Sequence, residues 1–309
     1  MVSRQELDKF LAKLISDEEK NLLNKNVLIK TTIAVISLVV AMIFVFIVVI
    51  SQTINTIFII LAIMFAFTSL VLMLSRKTGA YKKLEDKYKT QVLDYILRDV
   101  HYEYEKNARI PMNVFVESGL AREFDDYSGE DLLILNIPDD DGSATKSNLV
   151  ISDVKATKQE YNENTEEWET KTKYQGVLGY IRFPFEFKCR LTINRNDYAF
   201  LQNMDKVSLE SIEFNKKFSI RTTDQIEARY ILTPDMMQKL MAVQAKEKNF
   251  QMVLDGNTMF ISIPGKNMFA ITTRSKKIDG TIFYNLYEDI ALFLDIIEEI
   301  KNNDKIFKF

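Results

Sequence analysis

Histidine, cysteine and tryptophan each occur once in these 309 residues, as His101, Cys189 and Trp168. A single cysteine cannot close an internal disulfide, so nothing here resembles a stapled extracellular module. One histidine and one cysteine also exclude the common zinc and iron–sulfur centres, which need several such ligands. Glycine and proline are scarce, at nine and five. No Gly-rich phosphate loop occurs, since "GVLG" lacks the lysine and the helix start that such a loop needs. A net charge of -3 sets up no global field favouring nucleic acid or acidic lipid. Neither a cofactor nor a nucleic-acid partner is expected.

Charge is also missing from one long stretch. From Thr31 to Ser75 there is no Asp, Glu, Lys or Arg. Two apolar runs, 27–50 and 57–74, fill it, and roughly 20 apolar residues at about 1.5 Å each cross a hydrocarbon core. The polar connection "SQTINT" (Ser51–Thr56) is too short to do anything but reverse the chain. The pattern predicts a transmembrane helical hairpin over 27–75, with the lipid bilayer as its partner. A secretory signal is excluded, because its apolar core is about 7–15 residues long and a mostly polar segment, 1–26, comes first here. Lys20, Lys25 and Lys30 flank one end, Arg76, Lys77, Lys82 and Lys83 the other, and the turn carries no such charge. That asymmetry predicts a multi-pass protein of the cell membrane with both termini cytoplasmic. The spans hold no ionisable group, so they read as an anchor and not as an ion path. Thr31, Thr32, Ser37, Thr68 and Ser69 are expected to bond within their own helices, and Ala62 and Ala66 form a small pair that could seat a neighbouring helix.

Amphipathic helices are expected on both sides of the hairpin. Residues 1–26 carry Leu7, Phe10, Leu11, Leu14 and Ile15 at helical spacing, and residues 76–109 carry Tyr81, Leu84, Tyr88, Val92, Tyr95, Ile96 and Val100. The second stripe could pack on a soluble domain or form a seam with another copy through Leu84, Tyr88 and Val92.

Residues 110–309 read as a cytoplasmic α+β domain with a mostly antiparallel sheet and two or three helices. Alternation predicts strands at 131–137, 148–161, 167–183 and 185–194, one or two in "KVSLESIEFNKKFSIRT", then "NFQMVLD", "TMFISIP" and "TIFYNLY". A helix is expected after Thr233 as N-cap with Pro234 at its first position. The last helix is expected to begin at Asn285, with Glu288 completing a capping box.

Several of these segments carry a resemblance. "VESGLA" (116–121), "YSGEDLL" (127–133), "ISDVKA" (151–156), "YQGVLGYIRFPFEF" (174–187) and "LESIEFNKKFSIRTTDQIEARYILTPDMMQKL" (209–240) occur in that order. Together they resemble a bacterial membrane-anchored family known as domain of unknown function 3137, some of whose members are labelled galanin-like. The chain departs from the family pattern after Asp131, where leucines stand in place of an expected glycine, and at Ala121, where an aromatic is usual. The resemblance implies a topology and brings no catalytic residue.

The most individual stretch is Phe214–Pro234. Asp224 and Glu227 lie three apart, and Arg221 and Arg229 could pair with them in a salt-bridged turn. Alternatively, the two guanidinium forks could receive an anion. Trp168 and Tyr161 flank the turn "NENT" as a cross-strand pair or as an exposed tip for a partner. "DDDG" reads as a solvated turn, since its acids are contiguous where a calcium loop spaces them. His101 reads as a helix-end residue, and Cys189 as a buried strand residue. The residue content therefore points to a non-enzymatic, membrane-anchored binding or scaffold domain. The alternative is a hydrolase or transferase acting on lipid or another membrane-bound substrate, which would need a cleft of converging titratable groups.

Overall fold

The computed structural model describes residues 4–14, 17–51, 56–137, 147–194, 203–269 and 281–303, with side chains except at 17–27, 49–51, 56, 73–88 and 281–282. The centre of the "SQTINT" turn, the "DDDG" turn and the side chains of Leu84 and Tyr88 lie outside what is described. The chain divides into two compact units, residues 1–96 with 270–285, and residues 97–269 with 286–309.

The first unit contains α1 (Arg4–Leu14), α2 (Asp17–Ser51) and α3 (Thr56–Ile96). Leu28–Val48 within α2, 21 residues, is long and apolar enough to cross a membrane, and Ile57–Leu72 within α3 is a shorter apolar stretch. The two helices meet along a seam of small residues. Ala34, Ser37 and Ala41 are buried on α2, and Ala62 and Ser69 on α3. Ser37 Oγ donates to the Phe65 carbonyl at 2.8 Å and lies 2.9 Å from Thr68 Oγ1. Ser69 Oγ donates to the Ala34 carbonyl at 2.8 Å. Thr32 and Thr68 bond within their own helices as expected, to Leu28 and Phe65, whereas Ser37 and Ser69 cross the seam. Small side chains let the backbones approach closely enough for this exchange. Ala66 is exposed, so the expected small pair is corrected to Ala62 with Ser69, two turns apart.

The flanking helices differ from expectation in their limits. The segment 1–26 holds α1 and the start of α2, which runs without interruption into the apolar run. Leu7 and Leu11 are buried, and the Phe10 ring stacks on Tyr95 at 4.0 Å. Val92 is fully buried within the chain. The helix expected to reach residue 109 stops at Ile96, and His101–Glu105 is a strand, β1. The reason lies in "HYEYE", whose alternation half-buries Tyr102 and Tyr104 and exposes the residues between them, a strand period that no helix can use.

The second unit is α+β, as the alternation predicted. Its strands are β1, β2 (Asp126–Ile137), β3 (Ser147–Asn162), β4 (Glu167–Arg182), β5 (Leu191–Ile193), β6 (Asp205–Lys206), β7 (Ile220–Thr222), β8 (Gln251–Asp255) and β9 (Thr258–Pro264). They form one sheet in the order β1-β2-β3-β4-β9-β8-β5-β7-β6, antiparallel at every pairing. Helices α4 (Met112–Glu117), α5 (Ile212–Lys217), α6 (Gln225–Ile231), α7 (Pro234–Lys246) and α8 (Thr281–Asn302) accompany it.

One face of the sheet holds Tyr127, Val154, Ala156, Tyr174 and Leu178, packed with Val114 and Phe115 of α4. The Phe115 ring lies 4.8 Å from that of Tyr127 and 5.8 Å from that of Tyr174. The buried Tyr127 hydroxyl donates to the Ile110 carbonyl at 2.8 Å; burial pushes this phenol up from its ordinary pKa, although the nearby Arg109 charge opposes the shift. On the opposite face Leu133, Leu135, Leu149, Ile151, Val177, Ile181, Ile261 and Ile263 are buried. Burying each such side chain contributes about 1.5–3 kcal/mol.

Three expected strands are corrected. Within "KVSLESIEFNKKFSIRT" the centre is helical (α5), because Ser211 Oγ accepts from the Phe214 amide at 3.3 Å and caps it. Only Leu191–Ile193 of segment 185–194 is strand, and Cys189 is buried in an irregular segment before it. "TIFYNLY" belongs to α8, where Leu286, Ile290, Phe293, Ile297 and Ile300 are buried at alternating steps of four and three. Phe283 extends that stripe backwards by one step, so Asn285 lies inside the helix and does not begin it.

Gly129 of β2 sits where two backbones meet. A Cβ there would lie 2.6 Å from the Asp153 carbonyl oxygen and 3.0 Å from Arg109 Cβ. Gly129→Ala should therefore lower the stability of the full-length protein by about 1–3 kcal/mol through forced backbone movement. Denaturant midpoints of the detergent-solubilised variant and wild type check this, and equal midpoints would show that the strand yields freely.

Candidate functional site

Phe214–Pro234 is built as a connector. Asp224 is the N-cap of α6, its carboxylate accepting from the Ile226 and Glu227 amides at 2.8 and 3.1 Å. Thr222 Oγ1 accepts from the Asp224 amide at 3.1 Å, tying the end of β7 to that cap. The arginines do not pair with these acids. Arg221 donates to the Met204 carbonyl at 3.2 Å, and Arg229 to the Gln225 carbonyl at 2.7 Å and the Ser208 carbonyl at 3.4 Å. Glu227 lies 3.9 Å from Lys188 instead. Both guanidinium groups are thus engaged in holding loop carbonyls, and the structure does not bring them together with Trp168. The Cys189 thiol nearby is pushed up from its ordinary pKa chiefly by burial, which favours the unreactive protonated form.

A few residues on, Thr233 does two jobs with one hydroxyl. Its Oγ1 accepts from the Met236 amide at 3.1 Å, capping α7, and reaches Glu299 Oε1 of α8 at 3.2 Å. Lys239 donates to the other oxygen of Glu299 at 2.8 Å, and Asn303 Nδ2 donates to Oε1 at 3.1 Å. Burial alone would raise this carboxyl, but the bonds from Lys239, Thr233 and Asn303 and the Lys239 charge hold it below the usual carboxylate range. Further along, Lys246 lies 3.0 Å from Glu288 and 2.8 Å from the buried Asp289. The Asp289 contact is an ion pair without a well-aligned hydrogen bond to Oδ1. Lys266 also pairs with Asp289 and with Glu247. Two lysines therefore link α7, α8 and the segment after β9 through three carboxylates.

The third place is a pocket of about 280 Å³ that sequence reasoning did not find. Gly129, Val154 and Gly176, aligned across β2, β3 and β4, are among the residues that line it. A Cβ on Gly176 would come within 2.4 Å of the Ile263 carbonyl oxygen, so no side chain fits at that position. Glu130, Asp153, Lys155, Gln175 and Lys266 line the walls. Asp153 is buried, and its two carboxylate oxygens accept from the Met268 and Phe269 amides at 3.1 and 3.2 Å. Its charge thus clamps the segment after β9. The lining thus carries both signs of charge and exposes backbone edges. Among the described residues no His, Cys, Asp and Glu group could hold a metal ion. The signal in the sequence was the trio "SGED", "SDVKA" and "YQG", but only the strand register shows that these segments lie side by side.

The fourth feature is the arm formed by β3 and β4. β2 leaves β3 at Thr157, and β9 joins β4 only from Gly176. From Thr157–Thr172 to Asn162–Glu167 the two strands pair only with each other. Near the tip Tyr161 stands opposite Trp168, with rings 5.5 Å apart in an edge contact, so the expected aromatic pair is present. It is exposed as well, Trp168 at 70% and Tyr161 at 50%. Lys173 and Lys171 both pair with Glu160 towards the base of the arm.

The Glu299 arrangement gives a signed pH dependence. A depressed carboxyl contributes stability that is complete above the ordinary glutamate pKa of about 4.3 and disappears as pH falls through the depressed value. Glu299→Gln should therefore flatten the acid limb of a stability profile recorded between about pH 6 and 3. Denaturant midpoints across that range check it, and an unchanged limb would mean that Glu299 is equally paired in the unfolded chain.

Comparison with known proteins adds a family. No curated protein matches the chain. The crystal structure of the mycobacterial trehalose monomycolate transport factor A, TtfA, aligns over 69% of this chain and 96% of that one, with 8% identity and a TM-score of 0.34. That similarity is too low to carry an argument about fold or role. Residues 172–302 match the family described as "Protein of unknown function (DUF3137)". The matched stretch begins within β4 and ends with α8, so it takes in the connector, the α7–α8 ion pairs and the Asp153-clamped segment. Over residues 172–302 this chain is therefore similar to DUF3137.

Proposed function

We propose that this protein is anchored in the cell membrane by two antiparallel spans, with both termini cytoplasmic, and that its second unit acts by binding a partner and not by catalysis. The observation that carries the anchor is an inverted surface. The helix pair α2 and α3 buries Ser37 and Ser69 in its seam, where both bond to carbonyls of the facing helix. Outward it presents Leu28, Ile36, Phe46, Ile60, Ile63 and Phe67, all more than half exposed. Water would penalise such a face over this length, whereas hydrocarbon is its natural solvent. The second apolar run continues in sequence through Met73 and Leu74, close to a spanning length of roughly 20 residues. The Lys and Arg residues at both outer flanks, with none in the turn, support the orientation.

The binding reading draws on how the polar groups of the second unit are used. Asp153 holds backbone amides, Asp289 and Glu299 hold lysines, and Asp224 caps a helix. These roles hold structure together, while the arm leaves an aromatic pair open to solvent. The alternative, a hydrolase or transferase for a membrane-bound substrate, would have its centre in the pocket beside Asp153.

Two measurements separate these readings. In a Cys189→Ala background, a cysteine at Asn55 should react with an impermeant thiol reagent on intact cells, and one at Lys173 only after permeabilisation. Labelling of Lys173→Cys on intact cells would invert the topology. Asp153→Asn should lower stability by about 1–3 kcal/mol, because the neutral amide holds the two N–H groups less well. If that variant keeps wild-type stability yet abolishes turnover of a membrane lipid by the purified protein, the enzymatic reading replaces the binding one.

A further inference from the structure

The tip of the β3–β4 arm separates its charges. All three lysines of the arm stand towards its base, where Lys158 pairs with Glu123, and Lys171 and Lys173 with Glu160. Residues 162–169 carry four glutamates and neither lysine nor arginine. Glu169 accepts from Asn162 Nδ2 at 2.6 Å. Glu163, Glu166 and Glu167 are exposed around Trp168, with no basic side chain in reach among the described residues. The turn is tightened by Asn162 Oδ1, which accepts from the Asn164 amide at 3.0 Å, and Glu166 takes a left-handed backbone at φ 54°. A two-stranded ribbon with both faces in solvent has little core of its own, and Trp168 stays 70% exposed even beside Tyr161.

We propose that this tip is a docking surface for a lysine- or arginine-rich segment of a partner protein. A cation that settles on the Trp168 face gains the ring quadrupole, and the glutamates on either side complement its charge. Aromatic anchors ringed by polar groups are where binding energy concentrates in interfaces. The same charges repel an anionic lipid surface, a nucleic acid and the tip of a second copy. The inference rests on the reading of the second unit as a binding module and is independent of the membrane topology. Inverted cysteine labelling would leave it standing, and its own failure would leave the anchor standing.

Trp168 is the sole tryptophan, so its emission reports on the tip directly. The full-length protein in nanodiscs of uncharged phosphatidylcholine is titrated with a tryptophan-free decalysine peptide. A saturable change in Trp168 emission is expected, with less quenching by acrylamide and weaker binding as salt rises. The triple variant Glu163→Gln, Glu166→Gln, Glu167→Gln should raise the apparent Kd about tenfold or more. Glu103→Gln with Glu105→Gln, two exposed acids of β1, should leave it within about twofold. Trp168→Ala, followed by anisotropy of the labelled peptide, should also weaken binding by about tenfold. Thermal midpoints of the glutamate variants should match wild type, since each of those changes lies at an exposed position, and that of Trp168→Ala should fall only slightly through loss of the Tyr161 edge contact. An unresponsive Trp168, or wild-type affinity in either the triple variant or Trp168→Ala, would overturn the proposal.

Discussion

The antiparallel register of β3 against β4 sets the positions of most features in the second unit. Side chains alternate across a strand, so a slip of one residue would exchange the two faces of the sheet. In the register observed, Val154 falls opposite Gly176 and Asp153 opposite Val177. That sets Gly129 and Gly176 on either side of Val154 beside the pocket, and it turns the Asp153 carboxylate towards the Met268 and Phe269 amides. The same pairing carries Tyr161 to Trp168 at the far end. The pocket and the arm are therefore two ends of one hairpin, the first covered by neighbouring strands and the second left behind by them.

Polar groups follow a consistent rule in this chain. Among the described residues, the buried carboxylates Asp153, Asp289 and Glu299 are each tied to backbone amides or to opposite charges. Asp153 takes two amides, Glu299 takes a lysine, a hydroxyl and an amide side chain, and Asp289 takes two lysines. Stranding any one of these carboxylates would leave an uncompensated charge in a poorly solvated place, which costs more than the pair itself contributes. The helix pair α2 and α3 obeys the rule differently. There Ser37 and Ser69 bond across the seam and large apolar side chains face outward, the arrangement that hydrocarbon favours and water does not.

The arm stands apart from that rule. Its lysines and acids pair near the base, and its tip keeps three exposed glutamates beside the exposed Tyr161–Trp168 pair. Electrostatics of this kind act on encounter and selectivity more than on fold stability. The connector Phe214–Pro234 illustrates the opposite use of charge. It is rich in ionisable residues, but its acid caps a helix and its arginines hold carbonyls.

Local chemistry by itself determined much of this. Uninterrupted apolar runs mark α2 and α3, alternation marks β3, β4, β8 and β9, and Thr233 with Pro234 marks the start of α7. Each is a property of neighbouring residues, with a period or a cap that survives without knowledge of the rest. Tertiary structure decided the remainder. "TIFYNLY" alternates well enough for a strand, yet it is helical because its apolar residues join the buried stripe of α8 further along. "HYEYE" alternates as a strand does, and the edge of β2 supplies the pairing partner that its own residues cannot. The same holds for Gly129, Asp153 and Gly176, which lie on three segments far apart in sequence. Only strand pairing brings them into one place, since register depends on partners that a linear chain does not name.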